Sequence, residues 1–193
     1  MVSHVENLRE CLAYPLMYEL RAAPLGRRTL VERTGFTESA VRTELEKLEA
    51  HELVEFSKMG TALTPKGRRW FEARWERLLS VREVRLESLM LDRIGYAAHV
   101  RGLVGEIRSW LYRDHAVRQG ATATLFLIQR PAGLTLTDET TPLARRTPRD
   151  AQALQNSFPT LRSGDLVIIA FAPERGRALQ GLWGILCALA EKS

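Results

Sequence analysis

The chain has 193 residues, enough for one large domain or for two small ones each with its own core. With 45% hydrophobic and 26% charged residues it has an ordinary soluble composition, and no apolar run reaches the roughly 18–20 residues of a membrane helix. The net charge of +5 is thinly spread, with 13 Lys/Arg against 12 Asp/Glu in residues 1–80 and 15 against 11 beyond, so any nucleic-acid contact depends on where charges point.

In chain order, "MVSHVENLRE" lacks a cationic-then-apolar signal peptide pattern. Cys11 and Cys187 fit no metal or redox spacing, which makes a reducing cytoplasm the expected compartment. Residues 11–22, "CLAYPLMYELRA", space apolar residues as a helix does, with Pro15 expected in the first turn, where its missing N–H is harmless. Gly26 precedes "RRTLVERT", a short helix burying Leu30 and Val31 and stopped by Gly35. Thr37 is placed to cap the next helix, "ESAVRTELEKLEAHE". In it Val41, Leu45 and Leu48 form one apolar stripe, while Glu38, Ser39, Arg42, Thr43, Glu46 and Lys47 line the opposite face.

Two helices joined by a tight turn match the helix-turn-helix, whose second helix enters the major groove of DNA. An amphipathic helix alone carries no such meaning, but a hairpin placed directly after it does. "LVEF" and "TALT" alternate as strands around a turn at "SKMG", and Thr64-Pro65 opens another helix. Such a hairpin is the wing of a winged helix, and its tip, Lys58-Met59-Gly60, is expected to reach phosphates or the minor groove. "AVRTELEKLEAHELVEF…LTPKGRRWFE" resembles the V-x-x-x-L-x-x-L-E-x-x-x-L-V then L-T-x-x-G core of prokaryotic winged-helix transcription regulators, over residues 8–78. The resemblance implies double-stranded DNA as partner, although such domains also serve as protein- or RNA-binding scaffolds. Base edges are expected to meet Ser39, Arg42 and Thr43, and phosphates Arg27, Arg28, Lys47 and Lys58. Glu38, Glu44, Glu46 and Glu49 oppose tight nonspecific binding, and Glu38–Arg42 has the favourable order for a helical ion pair.

"PKGRRWFEARWERLLS" puts Phe71, Trp75, Leu78 and Leu79 on one helical face. Interleaved arginines give it the look of a base-stacking platform, but the period favours core or subunit interface. "VREVRLESLML" allows two readings, a strand with Val84, Leu86, Ser88 and Met90 inward or a continuation of that helix. "YAAHVRG" reads as a strand, residues 103–118 as an amphipathic helix, and "ATATLFLIQR" with "LTLTD" as a hairpin around Pro131-Ala132-Gly133. Thr147-Pro148 starts a helix, "GDLVIIAFA" is a central strand buried on both faces, and residues 175–191 are a last helix, apolar almost all round. That helix needs cover from another layer or from a second subunit.

The expected fold is therefore α+β: a winged helix-turn-helix over residues 1–80, then over residues 81–193 an α/β layer domain of mixed sheet, ββαββαβα. "GYAAHVRGLVGEIRSWLYRDHAVRQGATATLFLI" resembles the C-terminal domain of a family of archaeal winged-helix proteins regarded as transcription regulators. Arg113, Asp114, Ala116, Gly120, Ala121 and the later Gly164-Asp165 carry that match. The chain departs from it at "LTLTDETTPLARR", where the family pattern leads one to expect a proline after a short strand. The resemblance implies architecture and a regulatory role, with no assigned ligand. Arg113, Asp114, Asp165, Arg175 and Arg177 are the candidate ligand-binding residues, an ion pair on a helix and charges beside a helix start; structural pairing competes with each.

No phosphate loop, zinc-protease motif or nucleophile elbow is present, and His4, His51, His99 and His115 lack metal-binding spacing, so no catalytic residue, cofactor or metal is expected. The leading reading is a homodimeric, sequence-specific DNA-binding regulator whose C-terminal domain senses a small-molecule effector or holds the dimer. The alternative is a nucleotide- or cofactor-using enzyme with a winged-helix appendage, as in archaeal riboflavin kinases, whose β-barrel the helix-rich second half does not resemble.

Overall fold

Threonine and glycine punctuation decides where the first helices begin and end. The computed structural model describes residues 10–102 and 109–190, and the chain divides into two units, one running to Glu76 and the other Arg77–Leu189. In the first unit, α1 (Glu10–Glu19) is followed by α2 (Arg27–Thr34) and α3 (Glu38–Ala50). Pro15 lies inside α1 rather than in a first turn, so α1 forgoes one backbone hydrogen bond of its ladder at that point. Then come β1 (Val54–Ser57), β2 (Gly60–Leu63) and α4 (Pro65–Trp75). β1 and β2 pair antiparallel from Val54↔Leu63 to Ser57↔Gly60, and an isolated bridge between Leu25 and Thr61, which the sequence did not announce, ties the chain before α2 to this hairpin. Thr64 caps α4, its hydroxyl accepting from the Gly67 amide at 2.9 Å.

The tryptophan stripe is core. Phe71 and Trp75 are buried, and Tyr14 of α1 stacks on Trp70 at 5.3 Å and meets Trp75 edge-on at 4.9 Å. Leu78 and Leu79, expected on the same helical face, instead open a strand, because α4 ends at Trp75.

The second unit runs β3 (Leu78–Val84), β4 (Ile94–Val100), α5 (Ser109–Arg118), β5 (Ala123–Arg130), β6 (Gly133–Leu136), α6 (Leu143–Arg146), α7 (Pro148–Ser157), β7 (Leu166–Ala172) and α8 (Arg175–Ala190). The first six residues of the expected helix 103–118 lie outside the described residues. The short α6 was not expected, and the order is ββαββααβα. The sheet order is β3-β4-β7-β5-β6, and every pair is antiparallel, which corrects the expected mixed sheet. β7 accounts for the difference. It inserts between two hairpins, so β4 and β5, joined through α5, run in the same direction without touching.

All seven residues of β7 are buried, as the apolar run required. Each large aliphatic side chain so buried stabilises by about 1.5–3 kcal/mol. Val167, Ile169 and Phe171 face the layer of α6 and α7, packing with Leu143, Leu154 and Phe158. Their alternates face the opposite side. α8 is buried almost all round within a single chain and passes close to α5: a Cβ on Gly184 would stand 3.0 Å from the His115 carbonyl oxygen.

The reading of "VREVRLESLML" as one strand is half right. β3 stops at Val84, and Ser88 is exposed rather than inward. The amides of Glu87, Ser88 and Leu89 donate to the buried carboxylate of Asp150, at 2.6, 3.0 and 2.9 Å, in place of a neighbouring strand.

Candidate nucleic-acid interface

The turn between α2 and α3 is built residue by residue. Gly35 takes the left-handed conformation (φ 70°) that ends α2, its N–H donating to the Val31 carbonyl at 2.8 Å. The Thr34 hydroxyl donates to the Leu30 carbonyl at 2.7 Å and accepts from the amide of buried Phe36 at 3.3 Å. Thr37 then caps α3, accepting from the Ala40 amide at 3.3 Å, as its position predicts.

Buried Val41, Leu45 and Leu48 fix the rotation of α3 about its axis. Ser39, Arg42, Thr43 and Glu46 therefore form an outward stripe at i, i+3, i+4 and i+7, and all four are exposed. Arg42 is paired with Glu46 rather than with Glu38, at 3.9 Å and with both side chains more than half exposed. Such a pair contributes about 0–1 kcal/mol, so it gives way easily to a better acceptor.

Glu44 does not join this face. It is buried, and Lys47 stands 3.4 Å from it. Lys47, expected at phosphate, therefore already faces a buried carboxylate of its own helix, with its side chain 32% exposed. At the far end of α3 the Leu53 and Glu52 amides turn back to the Leu48 and Glu49 carbonyls, with Glu52 at φ 61°. Lys66 holds the Glu52 carboxylate at 2.7 Å and lowers its pKa by hydrogen bond and charge. This joint sets the path of the chain from α3 into the wing.

The wing is a two-residue turn at Lys58-Met59. The Ser57 hydroxyl donates to the Gly60 carbonyl and accepts from the Met59 amide, at 3.0 and 3.1 Å. Lys58 is exposed at the tip, and Met59 is 80% exposed. Arg27 and Arg28 occupy the first turn of α2, which has neither a side-chain cap nor an acidic residue. Its first amides and the positive end of the helix dipole are therefore presented together with two guanidinium groups, the chemistry of a phosphate contact. Arg28 also meets Glu32 at 3.1 Å, on a strongly exposed surface.

The five candidate ligand residues do not converge. Asp165 is buried; its carboxylate holds His99 Nε2 at 2.8 Å and accepts from the Arg162 and Gly102 amides at 3.0 and 3.2 Å. Arg175 meets Glu83 at 2.9 Å and Arg177 meets Glu174 at 3.4 Å, so carboxylates of the chain itself stand where an anion was considered. Arg113 and Asp114 are both exposed, not a buried pair. Among the described residues no cluster of three metal-ligating side chains occurs, and no helix is long and apolar enough to cross a membrane.

Residues 14–77 match the family described as the CggR N-terminal DNA binding domain, so the first unit is a DNA-binding domain. Residues 92–189 match a domain of unknown function, DUF4443. Among solved structures, a hypothetical protein from Pyrococcus horikoshii OT3 is similar in fold, with 24% identity over 94% of each chain and a TM-score of 0.76. No curated protein matches the chain.

Proposed function

This chain belongs to the DUF4443 family, and we propose that it acts as a sequence-specific, homodimeric transcription regulator. The outward stripe of α3 is the observation that carries this reading: Ser39, Arg42 and Thr43 are solvent-exposed on a helix anchored by its apolar side. Those three meet base edges, while Arg27, Arg28 and Lys58 meet phosphates. The C-terminal domain supplies the two-fold contact or receives a signal. In a two-fold assembly paired recognition helices address half-sites about 34 Å apart.

Selection of bound duplexes from a random pool by the full chain tests the proposal. Enrichment of one family of two-fold symmetric sites is expected, with affinity for random duplex falling steeply as salt rises. A pool that stays random after repeated rounds, or no binding at low salt, contradicts it.

A further inference from the structure

A cavity of about 250 Å³ opens in the second unit between α5 and the β5–β6 hairpin. Trp110 and Arg113, one helical turn apart on α5, form its wall. Thr124 and Phe126, alternate residues of β5 that share a face, form its floor. Thr137 and Asp138 form its rim, fixed in place by the Thr137 amide donating to the Phe126 carbonyl at 3.0 Å. Four other arginines of this unit, Arg146, Arg149, Arg175 and Arg177, are each engaged by a glutamate. Arg113 and Asp138 differ: both are exposed, and among the described residues neither takes part in an ion pair. Trp110 beside them is 63% exposed.

We propose that this cavity binds an α-amino acid with an apolar side chain. The Arg113 guanidinium receives the ligand carboxylate in its fork of N–H donors, and the Asp138 carboxylate accepts from the ligand ammonium. The apolar side chain lies on the Phe126 ring against the Trp110 indole. Size and charge select this class. The volume lies below the usual range for drug-sized ligands, about 300–1,000 Å³. One cation opposed by one carboxylate disfavours a polyphosphate and matches a ligand that carries one charge of each sign. As an effector site it rests on the regulator reading; as a ligand site it stands apart from it.

Calorimetric titration of the full chain without DNA tests the site, using apolar L-amino acids (leucine, phenylalanine) and two single-charge analogues of leucine, isoamylamine and 4-methylpentanoate. Saturable binding of one amino acid per chain is expected, at least about tenfold tighter than either analogue. Arg113→Ala and Asp138→Ala each weaken it by at least about tenfold, whereas Arg118→Ala, on the same helix but outside the cavity, leaves it unchanged. All three positions are exposed, and equal melting temperatures verify that the variants fold. No saturation up to about 10 mM of either amino acid overturns the proposal, as do analogues that bind equally well or affinity indifferent to both cavity substitutions. DNA binding is measured in a separate titration, so loss of the regulator reading and loss of the ligand site give different patterns.

Discussion

Individual side chains divide between those committed to the fold and those left for a partner, and burial draws the line. Lys58 and Arg28 are exposed, with no buried carboxylate holding them among the described residues, whereas Lys47 stands beside buried Glu44. Replacing Lys58 by alanine is expected to weaken binding about equally on all duplexes and to reduce the slope of log affinity against log salt by about one. Fluorescence anisotropy across a salt series reads this, and an unchanged slope removes Lys58 from the phosphate set. Asp165 carries a different consequence. Burial on its own raises the pKa of this carboxyl, but the hydrogen bond to His99, the Arg162 amide, the charge on His99 and the Gly102 amide together bring it below the ordinary 3.8. A carboxyl whose folded pKa is depressed stabilises the native state above its unfolded pKa, and that contribution disappears as pH falls through the folded value. Stability of the second unit is therefore expected to decline below about pH 4, and the decline to be shallower in Asp165→Asn. Parallel stability–pH curves from about pH 2 to 6 for the two proteins contradict this.

Elements with signals inside their own segment were legible, and those with distant partners were not. Thr37, Gly35 and Thr64-Pro65 marked helix ends by local chemistry, and the structure uses each one as expected. The apolar run of β7 marked a central strand in the same way. The boundary between α4 and β3 was hidden because Phe71, Trp75, Leu78 and Leu79 satisfy helical spacing while no glycine or proline separates helix from strand. The end of β3 was hidden because Asp150, which takes the amides of residues 87–89, is more than sixty positions away. Close approach between elements was equally invisible. A Cβ on Gly67 would fall 1.9 Å from the Leu53 carbonyl oxygen, so α4 touches the start of the wing through this one missing methyl group. Gly67→Ala is expected to lower stability by about 1–3 kcal/mol or more by prising α4 from the Leu53 backbone that leads into β1. A denaturant midpoint equal to that of the parent contradicts that contact.

At the scale of the whole molecule, a DNA-binding domain is joined to a second domain whose sheet is entirely antiparallel. The class of each half was legible in the sequence, but strand direction was not, because an apolar run records burial without recording which way its neighbours point. The exposed candidates on α3 followed from its apolar stripe, whereas the α5 cavity did not: Trp110, Thr124 and Asp138 meet only once helix and hairpin pack. Net charge of +5 offers modest steering, and the proposed regulator reading assigns discrimination to one helical face. The most direct test measures affinity of the parent and of Arg42→Ala for the selected duplex and for random duplex, at one salt concentration. A loss of about 1–3 kcal/mol on the selected site, with little change on random DNA, is the expected result. Equal losses on both duplexes, or none on either, contradict base reading by this face.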